Sequence, residues 1–187
     1  IYGCTDYAAG NYNPAAVCDD GTCGEFIRTY IPDDNFEQAL IDLGYDNFLD
    51  DYVYTDSINS VDSLLVGSSS ISDLTGIEDF TALTYLVCND NQLTSLDISS
   101  NTTLTHLNFN SNQITSIDVS NNTALISVHC YNNQLTSLDV NNNTSLTRLY
   151  CGSNQLTSLD VSNNTALTRL DCDNNQLTNL DVSNNTS

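Results

Sequence analysis

Both histidines of this chain and two of its three arginines lie at related positions in the second half of the sequence. They are His106, His129, Arg148 and Arg169, and tyrosines accompany them. The pattern places no serine or cysteine nucleophile beside either histidine, which argues against nucleophilic catalysis. Metal binding by two histidines is a minor alternative. Arginine and tyrosine instead supply forked hydrogen bonds and rigid contact area, which suits a ligand-binding surface.

An internal repeat of 21 residues positions these side chains. Its copies begin at Leu83, Leu104, Leu125, Leu146 and Leu167, and residues 83–187 hold five of them. Each copy approximates L-x-x-L-x-C-x-x-N-Q-L-T-S-L-D-V-S-x-N-T-x, although Phe109 replaces one cysteine. One unit of this size cannot bury its own apolar face, so the copies must stack and share a core.

The pattern resembles the leucine-rich repeat, with cysteine in the third apolar position. Apolar and variable residues alternate around Leu86 and Cys88, which predicts one short strand in each copy. The residues expected inside the first regular copy are Leu83, Leu86, Cys88, Leu93, Leu96 and Ile98. The predicted fold is an α/β-type repeat solenoid with a parallel concave β-sheet, a mostly irregular convex side and an N-terminal helical cap.

Upstream of Leu83 the pattern continues in a looser form. Residues 71–83, I-S-D-L-T-G-I-E-D-F-T-A-L, resemble the repeats of internalin-type bacterial surface proteins. We therefore expect a solenoid over residues 58–187, with one degenerate repeat before five regular ones and further repeats beyond residue 187.

Residues 26–57 are predicted to form a linker and a helical cap, because the open end of a solenoid needs a polar-faced cover. Asp33 or Asp34 can cap the N-terminus of this helix, and Glu37 can complete a capping box with Asp34. Gly44 can end the helix. The apolar residues on one face of it are Phe36, Ala39, Leu40 and Leu43.

Residues 1–25 form a segment too short to bury a core without a crosslink. The string G-C-T-D-x-x-A-x-N-Y-N-P-x-A-x-x-D-D-G-T-C, over residues 3–23, resembles a cysteine module of secreted Bacteroidetes proteins. The resemblance implies a disulfide between Cys4 and Cys23, further modules upstream, and a secreted or cell-surface product exported by type 9 secretion. It leaves the partner of Cys18 open.

This module is a candidate calcium-binding site, because hard cations prefer carboxylate and carboxamide oxygens. The candidate ligands are Asp6, Asn11, Asn13, Asp19 and Asp20. Their spacing differs from an EF-hand loop, and simple Asx turns are the alternative explanation. No other cofactor is expected.

After each predicted strand, two positions of the repeat hold a polar residue in every copy, and each set of equivalent residues forms a column along the stack. The first comprises Asn91, Asn112, Asn133, Asn154 and Asn175, which we expect to be buried and to satisfy backbone groups of two successive turns, as in the asparagine ladder of leucine-rich repeats. The second comprises Asp97, Asp118, Asp139, Asp160 and Asp181. Solvated turn caps are favoured for these aspartates over a calcium ladder.

The columns that flank the inward strand residues vary freely between copies, whereas the exposed positions equivalent to Gln92, Thr94 and Ser95 scarcely change. Strand alternation places the variable columns on the concave side, where solenoids bind ligands. The predicted contact residues are Tyr85, His106, Asn108, His129, Tyr131, Arg148, Tyr150, Arg169, Asp171 and Asp173. The alternative explanation of this variation is neutral sequence drift at exposed positions that are under no functional constraint.

Ser57 and Ser63 are candidate O-glycosylation sites. Each follows an aspartate and precedes an aliphatic residue. That three-residue pattern resembles the Bacteroidetes O-glycosylation sequon.

Composition limits the partners. Three Lys+Arg against 24 Asp+Glu leave a net charge of −21, which disfavours nucleic acids and anionic membrane surfaces. No apolar run is long enough for a transmembrane segment. Three functions are ranked. A binding or adhesion surface for a protein or glycan ligand is favoured first, a structural element that self-associates along the solenoid is second, and an enzyme is last.

Overall fold

The computed structural model describes residues 2–5, 13–18, 21 and 27–186. In chain order the elements are β1 (Arg28–Tyr30), α1 (Asp34–Asp42), β2 (Tyr52–Tyr54), α2 (Thr55–Ile58), β3 (Ser63–Leu65), a 3₁₀ turn (Ile77–Asp79), β4 (Tyr85–Val87), β5 (His106–Asn108), β6 (Ser127–His129), β7 (Arg148–Tyr150) and β8 (Arg169–Asp171). Strands β1 and β2 pair antiparallel, whereas β3–β8 form one parallel sheet in chain order. The predicted solenoid with a parallel sheet and an N-terminal helix is confirmed.

The apolar columns of the repeat form a continuous core inside the coils. The six residues predicted to point inward in the first regular copy are all buried. Each strand has only three residues, so a single coil makes few strand hydrogen bonds. Burial of each large aliphatic side chain contributes about 1.5–3 kcal/mol. Stability therefore arises mainly from contacts between neighbouring coils.

Each coil turns sharply after its strand, and a buried asparagine satisfies the turn. The preceding residue is left-handed, as at Asn132 with φ 55°, a conformation that short polar residues tolerate. The Oδ1 of Asn133 accepts from the Ile114 N–H at 3.1 Å, and its Nδ2 donates to the carbonyls of Phe109 and Cys130 at 3.0 and 3.2 Å. The preceding coil supplies two of these partners. The same arrangement recurs at Asn91, Asn112, Asn154 and Asn175.

A second buried asparagine column lies on the opposite side of the core, and the sequence analysis did not identify its role. Its members are Asn101, Asn122, Asn143, Asn164 and Asn185. The Nδ2 of Asn143, which is 0% exposed, donates to the carbonyls of Val119 and Asn122 at 3.0 and 2.9 Å. In the described part of the chain, the Oδ1 atoms of this column are buried without a hydrogen-bond partner. Every copy of the repeat keeps an Asn-Thr pair at this position, and that constancy in the sequence could have indicated a buried structural role for the asparagine.

The capping helix is joined to the first coil by one carboxylate. Asp33 caps α1, because its Oδ1 accepts from two N–H groups of the first turn at 3.0 Å. Its Oδ2 accepts from the hydroxyl of Ser72 and from the backbone N–H groups of Ser72 and Asp73. Burial alone would raise the pKa of Asp33, but these hydrogen bonds lower it overall. The rings of Phe36 and Phe80 then stack with centroids 6.3 Å apart.

Glu37 does not complete a capping box, contrary to the sequence analysis. Because Asp33 is the N-cap, Glu37 lies one residue beyond the box position. Its buried carboxylate instead accepts hydrogen bonds of 2.9–3.1 Å from the N–H groups of residues 50–52. Leu43 also leaves the predicted apolar face, since it is the C-cap and is 44% exposed. Gly44 has φ 81° and ends the helix as expected.

The cysteines of the repeats are free thiols inside the solenoid. Cys88, Cys130 and Cys151 are buried, and Cys172 is half-buried in the last coil. Burial raises the pKa of Cys151 to about 12, so little reactive thiolate is present at neutral pH. Cys4 is disulfide-bonded, whereas Cys23 lies outside the described residues. The pairing of Cys4 with Cys23 therefore stays a prediction.

Replacing Asn133 by alanine removes the partners of one N–H group and two carbonyl groups in the interior. We expect the free energy of unfolding to fall by about 1–3 kcal/mol. Gln134→Ala is the control, because Gln134 is the exposed neighbour. Denaturant unfolding measures both variants, and an unchanged midpoint for Asn133→Ala would contradict the role assigned to this column.

The buried thiols should resist alkylation in the native state. Cys18 is free and exposed, so it serves as the internal control and should react rapidly with iodoacetamide. Cys151 should be modified only after denaturation, because it is 0% exposed and its pKa is raised. Peptide mass spectrometry after a short exposure distinguishes the two, and early labelling of Cys151 would be inconsistent with its burial.

Candidate ligand-binding face

The parallel register gathers the predicted contact residues on the concave side of the sheet. The first outward column contains Ser63, Tyr85, His106, Ser127, Arg148 and Arg169. The second contains Leu65, Val87, Asn108, His129, Tyr150 and Asp171. Tyr131 and Asp173 follow two residues later in the coils of β6 and β8. We call this surface, comprising the two columns with Tyr131 and Asp173, the concave face.

Two ring pairs lie on the concave face. Tyr85 and His106, on β4 and β5, stack with centroids 5.2 Å apart. His129 and Tyr150, on β6 and β7, are tilted with centroids 4.5 Å apart. The histidines occupy different columns, as their sequence offset indicated. Each histidine therefore pairs with a tyrosine, and the face presents two separate aromatic platforms.

Ser127 corrects one statement of the sequence analysis, because a serine does lie beside a histidine. Its Oγ is 3.0 Å from Nε2 of His129, two residues away on the same strand, and the side chain is nearly buried at 2% exposed. In the residues that the structure describes, no carboxylate is hydrogen-bonded to the other ring nitrogen of His129. The contact therefore orients the imidazole but lacks the third group of a nucleophilic triad.

The concave face carries charges of both signs near β7 and β8, where Arg148 and Arg169 lie close to Asp171. Burial lowers the pKa of His129, and the nearby charges of Arg148 and His106 lower it further. At the far end, partial desolvation and the adjacent Asp171 raise the pKa of Asp173. His129 is thus held neutral near Arg148 at physiological pH.

Deep cavities are not a feature of the concave face. A depression of about 40 Å³ lies among Tyr85, His106, Asn108, Ser127 and His129. A larger cleft of about 360 Å³ lies between the first two coils on the other side, and its polar lining includes Asp73, Glu78 and Asp97. The concave face is therefore a shallow platform of rings and polar groups.

Among the remaining candidate residues that the structure describes, Ser63 lies on the concave face. Asn13 accepts a hydrogen bond from the Ala15 N–H at 3.0 Å in an Asx turn, whereas Asp6, Asn11, Asp19 and Asp20 lie outside the described residues. Calcium binding by this set stays a prediction. Ser57 and Ser63 are both exposed, so either hydroxyl is accessible for glycosylation.

The aspartate column forms exposed turns. Asp97, Asp118, Asp139, Asp160 and Asp181 each accept a hydrogen bond of 2.8–2.9 Å from the N–H two residues later. Hydrogen bonds from Ser99 lower the pKa of Asp97, and those from Ser120 do the same for Asp118. Within the described ranges, no group of three or more metal-ligating side chains is found. Solvated turn caps account for the geometry of this column.

Comparison with known proteins gives the same architecture. Residues 144–185 match the family model described as leucine-rich repeats (2 copies). Internalin J of Listeria monocytogenes serotype 4b is 43% identical over 75 residues, which are 40% of this chain and 8% of that protein. The solved functional domain of internalin J from the same species, which includes a cysteine ladder, has 42% identity and a TM-score of 0.79. That match covers 86% of this chain and 36% of the internalin J chain.

More distant solved structures share the fold. A leucine-rich repeat protein of Leptospira interrogans is 26% identical with a TM-score of 0.54, over 57% of this chain and 29% of that one. Internalin C2 of Listeria monocytogenes is 19% identical with a TM-score of 0.54, over 84% of this chain and 91% of that one. The chain therefore has the leucine-rich repeat fold with internalin-like repeats, and it spans about a third of the internalin J structure that it matches.

None of the helices in the described residues has the length and apolar character needed to cross a bilayer.

We expect an NMR titration to give His129 a pKa below the ordinary histidine value of about 6.5. Because folding depresses this pKa, the stability contributed by neutral His129 is present above about pH 6.5 and is lost as the pH falls through the folded-state value. Arg148→Gln should move the pKa of His129 upward, since it removes one of the charges that lower it. A pKa at or above the ordinary value in the parent protein would contradict this environment.

Proposed function

We propose that the chain is the ligand-binding part of a secreted or cell-surface bacterial protein and that it recognises a protein or glycan ligand through the concave face. The observation that carries the proposal is that the side chains that differ between the repeat copies are concentrated on one surface. Both histidines and two of the three arginines lie there, together with three tyrosines. Aromatic rings and arginines are the side chains that most often dominate binding energy.

The rest of the solenoid supports this division of roles. Exposed positions outside the concave face, such as Gln155 and Thr157, hardly change between copies, whereas the concave columns change in nearly every copy. The strongly acidic body repels anions, so the arginines of β7 and β8 provide a local region of opposite sign. A partner with acidic or polar groups is thereby oriented toward the concave face.

An extracellular location fits the same proposal. Cys4 is disulfide-bonded, and stable disulfides form in oxidising compartments. The internalin-like repeats agree with a surface protein. Type 9 secretion is suggested by the resemblance of residues 3–23 to a Bacteroidetes cysteine module and is part of this proposal.

The concave assignment is tested by replacing Arg148 and Tyr150 together with alanine. Arg148 is exposed and Tyr150 half-buried on the sheet surface, so folding should be preserved. Ligands are first obtained by screening the parent protein against a glycan array and a panel of bacterial and host surface proteins. Binding of each ligand found should weaken by about 2 kcal/mol or more.

Gln155→Ala with Thr157→Ala is the matched control, because both residues are exposed in the same coil and lie outside the concave face. It should bind as the parent does. Retained affinity in the concave double variant would place the binding site elsewhere, in the convex turns or the cysteine module.

A further inference from the structure

Arg148 and Arg169 occupy adjacent positions of the first concave column, and neither forms an ion pair with a carboxylate of the described residues. Strands β7 and β8 pair in register, with Arg148 opposite Arg169. Within the described residues, the one ion pair joins Arg28 to Asp50 at 3.6 Å, far along the chain in the cap. Neighbouring strands lie about 4.8 Å apart, so like charges at opposed positions repel. Although the net charge of the chain is −21, its two concave guanidinium groups make no ion pair with any carboxylate in the described ranges.

The acidic side chains of the concave face form no ion pair with either arginine in the part of the chain that the structure describes. Asp171 and Asp173 lie further along β8 and its turn, and they interact with each other: the Asp173 N–H donates to Asp171 Oδ1 at 3.3 Å. The mutual effect of these carboxylates contributes to the raised pKa of Asp173. Two adjacent guanidinium groups remain available, and their forked donors match the two oxygens of a carboxylate.

An uncharged aromatic platform lies directly beside the arginine pair. Tyr150 is two residues from Arg148 on the same strand, and its ring is 4.5 Å from that of His129. Ser127 holds His129 through Nε2, which fixes the orientation of the imidazole. The depression next to it has a volume of about 40 Å³, so the surface around the two rings is shallow. A ligand that lies flat, with apolar ring faces and polar edges, fits this surface.

We propose, as an extension that rests on the function proposed above, that Arg148 and Arg169 jointly bind the carboxylate of an acidic glycan whose sugar ring packs on the His129 and Tyr150 platform. The carboxylate neutralises the two guanidinium groups. The sugar hydroxyls lie within reach of the polar groups of the face, including Asn108. The carboxylate of the glycan serves as the acidic partner of Arg148 and Arg169. The shallow platform of rings favours a flat saccharide over a protruding protein side chain.

Oligogalacturonate is the probe, and its methyl ester is the matched ligand control, because esterification removes the negative charge and keeps the sugar backbone. Calorimetric titration of the full chain should show binding of the acid that weakens with added salt. The ester should bind about tenfold more weakly or worse, as expected when a charge-assisted hydrogen-bonded pair is lost.

Arg148→Gln combined with Arg169→Gln should reduce the affinity for oligogalacturonate about tenfold or more. Arg28→Gln is the protein control, since it removes a cation outside the concave face, and it should leave the affinity unchanged. Circular dichroism and the unfolding midpoint verify that each variant is folded.

Several outcomes would overturn the assignment: equal binding of acid and ester, an equal loss in Arg28→Gln, or absence of oligogalacturonate binding. A polyglutamate peptide that binds as tightly as oligogalacturonate would instead assign the arginine pair to acidic proteins and reject the glycan. If oligogalacturonate fails while a screened ligand still depends on Arg148 and Tyr150, the acidic-glycan inference is wrong and the concave binding function stands.

Discussion

Hydrogen bonds between buried carboxamides and the backbone of the neighbouring coil are the interaction on which this structure depends. A coil of 21 residues must turn inside its own apolar core, where peptide groups have no water. Asn133 and its equivalents supply acceptor and donors to two coils at once, so each turn is satisfied only when its neighbour is in place. The asparagines thereby couple the coils into one stack, and the apolar columns add the burial energy.

The second asparagine column extends the same constraint to the other side of the core. Asn143 donates to carbonyls in the preceding coil, and its equivalents repeat those bonds. With both turns of each coil held in this way, the backbone geometry is nearly identical from one copy to the next. The side chains that face outward from the strands take no part in these buried asparagine contacts. They are therefore free to differ, and the differences accumulate on a rigid platform.

Much of the candidate site was predictable because residues one repeat apart in the sequence lie side by side on adjacent strands of the parallel sheet. The positions of His106, His129, Arg148 and Arg169 on one face followed from alternation alone. The contact between Ser127 and His129 did not, because it depends on the rotamers of two side chains on one strand. The capping box at Glu37 failed because Asp33 is the N-cap, which puts Glu37 one residue beyond the box position. The Glu37 carboxylate bonds instead to backbone N–H groups of residues 50–52, which are distant in sequence.

The period, the inward columns, the parallel sheet and the face on which variable residues gather could all be read from the amino-acid sequence, since they are consequences of one 21-residue pattern. Which side chains hydrogen-bond or stack with one another became clear from the folded structure. It joined Asp33 to the first coil, paired each histidine with a tyrosine, and, among the described residues, formed no ion pair at Arg148 or Arg169. Periodicity specifies where a residue lies along and across the stack. Hydrogen bonds and charge pairing depend on distances of a few ångströms between side chains from different coils, and those distances exist only after the chain has folded.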